Sequence, residues 1–247
     1  MPENYKKKFD IDGYFKIKNF ITKEEKNKII EEINNSKDVD VYNDKQNKIR
    51  RIERIYNKGE LLNKINTRFV DLIKKTLNTK VLIFKDKFNL KPPGGEGFIA
   101  HYDGVFYFID SKNNKKKGWY EYGNLFVSVL LSLDDSDQQN GTIEIAKSHQ
   151  NNFYELLKNT KNDGTPDLLE EIEKKTKFEK IDLNAGDLVI FKNTCPHRSG
   201  KNTSQKNRRI LYYTYLSQEF GDQYQNYFED KKMSKNKTDK SLSRENK

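Results

Sequence analysis

The chain has 247 residues, of which 34% are hydrophobic, 12% aromatic and 34% charged, a balance that suits one folded domain with a strongly solvated surface. No apolar run approaches the roughly 20 residues of a membrane span, and the basic start, Met1–Lys8, lacks the apolar stretch of a secretory signal. The single cysteine, Cys195, excludes an internal disulfide and argues against a thiolate zinc site. We therefore expect a cytoplasmic protein without a membrane partner.

Much of the net charge of +10 lies at the C-terminal end, where residues 231–247 contain seven basic and two acidic side chains. The rest of the chain carries about +5, which is too little to indicate nucleic-acid binding. With no repeat or linker to divide it, the sequence predicts a single domain over residues 1–230 and a disordered basic tail over 231–247. Two alternatives stay open at this point, a basic nucleic-acid-binding module and a non-catalytic interaction module on a β-sandwich scaffold.

The N-terminal third is predicted to be mainly helical. Phe9–Ile17 has the pattern of a short strand or turn around Gly13. Thr22 followed by Glu25 is typical of a capping box, which opens a first helix. A second helix is predicted over Gly59–Leu77, because its apolar residues recur at helical spacing.

After Thr79 the pattern changes to short β segments separated by turn residues. A third helix is predicted over Leu168–Lys174, and Lys112–Lys117 reads as a polar loop that could act as a lid. Helices followed by many short strands indicate an α+β protein whose strands form a sandwich or jelly roll. The predicted strands are Val81–Leu90, Phe98–His101, Leu125–Leu133, Thr142–Ile145, Phe178–Leu183, Asp187–Phe191 and Arg209–Leu216.

The three histidines of the chain limit any two-histidine metal site to three pairs. His101 and Asp103 form a His-x-Asp element at the end of a β segment, and positions i and i+2 of an extended chain point the same way. A second, distant histidine would complete the facial triad of two histidines and one carboxylate that leaves positions open on ferrous iron. His149 and His197 are the two candidates for it.

The residues near His197 in the sequence favour it over His149 as the second histidine ligand. An arginine, Arg208, follows eleven residues later in the next β segment, whereas His149 has no arginine at that spacing. 2-Oxoglutarate chelates iron at one end, and its far carboxylate suits the planar fork of an arginine. Ser199 could donate a second hydrogen bond to the same carboxylate. Strand alternation lets only one of Arg208 and Arg209 point inward, so either could be the anchor.

Several short motifs occur in a fixed order. They are Asp12–Tyr14, Phe84–Gly95, His101–Asp103, Asn140–Glu144, Ser148–His149, Ala185–Asp187, Pro196–Asn202 and Arg208–Tyr215. Together they resemble the phytanoyl-CoA dioxygenase family of Fe(II)- and 2-oxoglutarate-dependent oxygenases over roughly residues 9–230. The resemblance implies an α+β fold with a double-stranded β-helix core (jelly roll, cupin-like) and N-terminal helices packed on one sheet.

The resemblance also implies an activity, in which O2 and 2-oxoglutarate are used to hydroxylate an unactivated C–H bond, with release of succinate and CO2. By position, the residues that match the iron ligands are His101, Asp103 and His197. Those that match the groups holding the far carboxylate of 2-oxoglutarate are Arg208 and Ser199. Those that match positions near its metal-chelating end or elsewhere on the co-substrate are Asn89, Lys87 and Ser128.

The substrate is the least defined part of the prediction. The glycine-rich stretch Lys91–Gly95 resembles a bacterial branch that includes 2-aminoethylphosphonate dioxygenase, but Tyr102 and the segment Gly104–Gly123 depart from that branch. Lys85, Lys87 and Lys91 would alternate on one strand face, where an inward row would attract an anion. We therefore expect a small polar or anionic metabolite, with a 2-aminoalkylphosphonate as one candidate.

Overall fold

The computed structural model describes residues 2–44, 47–110, 112–149 and 152–235. Six helices lie in this part of the chain: α1 (Pro2–Asp12), α2 (Lys23–Asn34), α3 (Glu60–Leu77), α4 (Phe153–Lys158), α5 (Glu170–Lys175) and α6 (Tyr224–Lys235). The strands, in chain order, are β1 (Tyr14–Ile17), β2 (Asp40–Asn43), β3 (Ile49–Glu53), β4 (Val81–Lys91), β5 (Phe98–His101), β6 (Phe108–Ile109), β7 (Lys115–Lys116), β8 (Phe126–Ser132), β9 (Ile143–Ile145), β10 (Glu179–Lys180), β11 (Leu188–Lys192), β12 (His197–Ser199) and β13 (Arg208–Ser217).

Two antiparallel sheets form the jelly roll. The larger sheet has seven strands in the order β1-β11-β8-β13-β4-β3-β2, and the smaller has four in the order β10-β9-β12-β5. The pair β6-β7 makes a separate small hairpin. Apolar side chains of β8, β11 and β13 pack against those of β9, so the two sheets enclose an inner face. The predicted fold class is confirmed.

The outer face of the larger sheet is covered by the N-terminal helices, as expected. Ile29 of α2 and Phe69 and Ile73 of α3 are fully buried against Val129 and Tyr213 of the sheet. The predicted capping box at the start of α2 is present, with the Thr22 side chain and the Glu25 side chain each bonded to the other residue's backbone N–H.

Strand alternation decides which side chains reach the inner face. On β13, Leu211 and Tyr213 pack in the helix-covered core, so Arg208, Ile210 and Tyr212 point between the sheets. The same period on β4 puts Lys87 and Asn89 inward, and Phe88 outward. The inner face therefore combines apolar and charged side chains.

Several predicted elements are wrong in detail. The turn predicted at Gly13 is present and is followed by β1, but the residues before it, from Phe9, belong to α1, which continues through Asp12. The loop predicted over Lys112–Lys117 includes β7, which pairs with β6. The sequence analysis also missed α1, α4, α6, β2 and β3, whose polar sequences lack a clear period and which are stabilised by packing on larger elements.

The last helix, α6, continues past the boundary predicted at residue 230 and ends at Lys235. Tyr224 and Phe228 of this helix are buried, and the Lys231 ammonium pairs with the buried carboxylate of Glu53. The rest of the predicted tail, 236–247, lies outside the described residues. Within the described residues, every helix is too short or too polar to span a membrane.

Candidate functional site

The three predicted metal-ligating residues meet between the sheets. His101 ends β5 and His197 begins β12, and these two residues are register partners whose ring centroids lie 4.3 Å apart. Asp103 follows β5 directly. One potential ligand atom from each of the three residues lies within 4.8 Å of the others, and this is the one such group found in the described part of the chain.

The backbone orients both imidazoles. His101 Nδ1 lies 2.7 Å from the carbonyl oxygen of Ile99, and His197 Nδ1 lies 3.1 Å from that of Cys195. Because a carbonyl oxygen can only accept, Nδ1 is the protonated nitrogen and the lone pair of the neutral ring is on Nε2. Burial is the main cause that lowers the pKa of His197, and the charge of Asp103 acts against it.

Asp103 is a buried carboxylate. Burial by itself raises its pKa, but the nearby charges of His197 and Lys87, with smaller contributions from His101 and Lys85, outweigh it and hold the pKa well below its ordinary value. Asp103 Oδ2 accepts a hydrogen bond of 2.6 Å from the Tyr212 hydroxyl. The carboxylate is therefore ionised and held in one place.

Ser128, predicted as a co-substrate contact, lies beside Asp103. Its hydroxyl is fully buried, 3.5 Å from Asp103 Oδ2 and 3.2 Å from the Thr214 hydroxyl oxygen. Leu130, the next inward residue of β8, lines the adjacent cavity instead. Ser128 is therefore a neighbour of the Asp103 carboxylate.

A cavity extends from the histidines along β4 and β13. It encloses about 430 Å³ of empty space, counting its open mouth. The residues that line it include six of the predicted eight, together with apolar and aromatic neighbours. The lining residues are Lys87, Asn89, Phe98, His101, Leu130, Ile143, His197, Arg198, Ser199, Arg208, Ile210 and Tyr212.

Two buried polar groups in the cavity lack a partner among the described residues. They are Nε of Arg208 and Oδ1 of Asn89. Arg208 is only 3% exposed, and burial together with the charge of Arg50 lowers its pKa. Buried polar groups are otherwise nearly always hydrogen-bonded. A buried, unpaired guanidinium that lines this cavity therefore fits a carboxylate ligand.

Ser199 is held by Lys91, which the sequence predicts to be part of an inward row of lysines that would attract an anion. Lys91 Nζ donates to Ser199 Oγ at 2.8 Å and to the carbonyl oxygens of Gly141 and Gly200 at 3.1 and 2.6 Å. Since the Ser199 oxygen accepts from Lys91, its own proton is available to an acceptor in the cavity.

The structure distinguishes the two alternative arginines. Arg209 donates to Asp134 in a bidentate pair, with Nε to Oδ2 at 2.8 Å and Nη2 to Oδ1 at 2.7 Å, away from the cavity. Arg208 is the one that points inward. His149, the alternative second histidine, is instead hydrogen-bonded through Nδ1 to the Tyr102 hydroxyl.

A family profile described as phytanoyl-CoA dioxygenase (PhyH) matches residues 9–210. The chain belongs to this family. The fold and the convergent His-Asp-His group agree with the membership, and the PhyH enzymes are named as dioxygenases.

Two curated relatives have names that state a substrate. This PhyH-family chain is 27% identical to a 2-aminoethylphosphonate dioxygenase of an uncultured bacterium, HF130_AEPn_1, over 65% of the chain and 55% of that protein. It is 29% identical to a methylphosphonate hydroxylase of Gimesia maris, over 62% of the chain and 52% of that protein. The chain thus spans about half the length of these relatives.

Among solved structures, the PhyH-family chain is similar to EctD from S. alaskensis, determined with 2-oxoglutarate and 5-hydroxyectoine. The TM-score is 0.67 at 19% identity, covering 87% of this chain and 75% of that one. At this identity the likeness supports the fold alone.

Sequence reasoning missed Tyr212 as the hydrogen-bond donor to Asp103. Tyr212 is four residues after Arg208 on the same strand, so once Arg208 points inward, alternation puts Tyr212 inward as well. That signal was present in the sequence, whereas the contact with Asp103 depends on how the two sheets meet.

Proposed function

We propose that the protein is an Fe(II)- and 2-oxoglutarate-dependent dioxygenase that hydroxylates an unactivated C–H bond of a small anionic metabolite. In the overall reaction, substrate, O2 and 2-oxoglutarate give the alcohol, succinate and CO2. The proposal is carried by one observation: His101, Asp103 and His197 converge beside a cavity in which the buried guanidinium of Arg208 has no protein partner.

The donor set fits the iron. Two imidazoles that can each offer an Nε2 lone pair, together with one ionised carboxylate, make the facial triad suited to non-haem ferrous iron. His101, Asp103 and His197 would hold the metal, which together with 2-oxoglutarate supplies the oxidation chemistry. Tyr212 keeps the Asp103 carboxylate in place through its 2.6 Å hydrogen bond.

The cavity fits the co-substrate. Arg208 and Ser199 would bind its far carboxylate, since the first is an unpaired cation and the second has a proton to donate. Asn89 and Lys87 line the path from Arg208 to the histidines, where they would contact the metal-chelating end. The apolar side chains of Leu130 and Ile143 limit access of water to this region.

The substrate class is supported by charge and by the relatives. Lys87 is inward-facing and lies with its Nζ 4.1 Å from the centre of the Tyr212 ring, without a hydrogen-bond partner in the described residues. A cation in this place would attract an anion. The two relatives are named for phosphonates. A small phosphonate is therefore the first candidate to test.

The test is reconstitution with Fe(II) followed by measurement of 2-oxoglutarate consumption and succinate release. We expect turnover in the unaltered protein and a loss of about 1,000-fold or more in Asp103→Ala, because an uncompensated ligand loss removes the metal. Asp10→Ala, at an exposed ion pair with Lys6, is the control and should behave like the unaltered protein. Near-normal consumption by Asp103→Ala would show that the ligand assignment is wrong.

A panel of candidate substrates tests whether the substrate is a small anionic metabolite. Succinate release should be stimulated by 2-aminoethylphosphonate, methylphosphonate or a related small anion. Stimulation only by long acyl thioesters or by oligonucleotides would reject a small anionic substrate while leaving the oxygenase activity in place.

A further inference from the structure

Lys85 lies on the inner face of β4 beyond the metal-ligating group. The register of β4 with β13 pairs Lys91 with Arg208, Lys87 with Tyr212 and Lys85 with Thr214. Because Tyr212 bonds to Asp103, the metal triad lies near the level of Lys87. Two residues of a strand span roughly 7 Å. Arg208 is thus on one side of the triad, and Lys85 is on the other.

The ammonium of Lys85 is buried against aromatic rings. The residue is 8% exposed, and its Nζ lies 4.4 Å from the Trp119 ring centre and 5.5 Å from that of Tyr227. Within the described residues it makes no hydrogen bond or ion pair. Ring faces attract a cation, but they accept no conventional hydrogen bond from it. The three N–H donors of Lys85 therefore lack an acceptor.

The nearby carboxylates are already engaged. Glu53 pairs with Arg51 at 3.1 Å and with Lys231, and Asp103 belongs to the metal triad. Neither carboxylate is therefore a dedicated counter-ion for Lys85.

The local charge balance is positive before any metal is added. Four basic side chains, Lys85, Lys87, Arg51 and Lys231, interact with two acidic ones, Glu53 and Asp103. Burial, and next the charge of Lys87, lower the pKa of Lys85 to about 7. A buried cation without a partner is costly, so an anion that entered here would be bound by a group already in position.

We propose that Lys85 binds the anionic head group of the substrate, an oxyanion of phosphonate size, at the end of the site opposite Arg208. This inference rests on the proposed function and adds the orientation of the substrate in the site. The far carboxylate of 2-oxoglutarate lies at Arg208, the substrate anion lies at Lys85, and the carbon to be oxidised lies between them. Trp119 and Tyr227 close this end, which restricts the substrate to a small molecule.

The test compares two ligands on the same protein. Binding of methylphosphonate and of 2-aminoethylphosphonate is measured by calorimetry on protein loaded with Fe(II) and 2-oxoglutarate without O2, and 2-oxoglutarate binding is measured separately. In Lys85→Met we expect phosphonate affinity to fall about 10- to 100-fold, as for loss of a charge-assisted hydrogen bond, and 2-oxoglutarate affinity to change less than about twofold. Lys85→Arg should recover part of the phosphonate affinity.

The matched control is Lys80→Met, which removes an exposed lysine just before β4 and should change neither affinity. Unchanged phosphonate binding in Lys85→Met, an equal fall in both affinities, or no phosphonate binding by an unaltered protein that binds 2-oxoglutarate would each overturn the assignment of Lys85. Failure of the unaltered, iron-loaded protein to bind 2-oxoglutarate would instead overturn the proposed function.

A second measurement does not depend on the folding of a variant. In the unaltered protein, methylphosphonate should bind at least about tenfold more tightly than its uncharged dimethyl ester, because a cationic subsite discriminates by charge. Equal affinity for the two would overturn the proposal.

Discussion

The two ends of the site are built differently. At the Arg208 end, the walls are strand residues whose direction follows from alternation, and Lys91 fixes Ser199 through hydrogen bonds. At the Lys85 end, the walls are aromatic side chains from elements far apart in sequence, Trp119 from the segment before β8 and Tyr227 from α6. The difference indicates that the proposed co-substrate end is formed by the strands of the jelly roll, whereas the proposed substrate end depends on segments outside it.

The largest effect that tests this contrast is expected at Glu53, which holds α6 at the Lys85 end. Its carboxylate is 1% exposed and pairs with Lys231 of α6 and with Arg51. Glu53→Gln would leave buried cations without their partner, so we expect a loss of about 3–5 kcal/mol in the free energy of unfolding. Urea denaturation at neutral pH measures it. Glu170→Gln, at an exposed pair with Lys174, should change stability by less than about 0.5 kcal/mol.

The same residue predicts a pH dependence. Burial raises the pKa of Glu53, but Arg51, Lys231 and Lys85 outweigh it and lower the pKa from 4.5 to about 2. As the pH falls, the Glu53 carboxylate is therefore protonated in the unfolded chain before it is protonated in the folded protein. Its contribution to the free energy of unfolding is complete above pH 4.5 and is lost as the pH falls towards 2. The stability gap between the unaltered protein and Glu53→Gln should narrow in that window. A constant gap would contradict the pairing.

The second-largest effect is expected at the Arg208 end of the site, on the affinity for 2-oxoglutarate. Arg208→Met removes the unpaired guanidinium, so the KM for 2-oxoglutarate should rise about 100-fold while phosphonate affinity stays within about threefold. Arg209→Met is the matched control, because Arg209 pairs with Asp134 outside the cavity. Steady-state kinetics and calorimetry measure the two quantities. If Arg208→Met weakened both ligands equally, the two ends would not be separate subsites.

The smallest effect, on affinity for Fe(II), is expected at Tyr212, which lies between the Arg208 end and the Lys85 end. Tyr212→Phe removes the 2.6 Å hydrogen bond to Asp103 and little else, so affinity for Fe(II) should fall about tenfold. Metal titration measures it, with Tyr154→Phe, an exposed tyrosine, as control. An unchanged iron affinity would mean that Asp103 is positioned by the backbone and by Ser128 without help from Tyr212.

Much of the fold could be predicted from the sequence in segments where apolar residues recur at regular spacing. The apolar repeat of α3 and the length of β4 and β13 were predicted to within a residue or two, because each has one face in the core. The strands β2 and β3 were missed because Arg50, Arg51 and Glu53 on β3 are residue types typical of a surface. In the fold, Arg50 is buried and donates to the Glu96 carbonyl oxygen, and Glu53 is buried and pairs with Lys231 of α6.

The sequence by itself determined the residue types and spacing at the metal triad and at Arg208, because a His-x-Asp pair and strand alternation are local properties of the chain. Only the tertiary structure decided that Ser128 and Tyr212 support Asp103, that Lys91 orients Ser199, and that Lys85 is buried between Trp119 and Tyr227. These contacts join residues between 25 and 142 positions apart, as with Ser128 and Asp103 or Lys85 and Tyr227, and no local period encodes such distances.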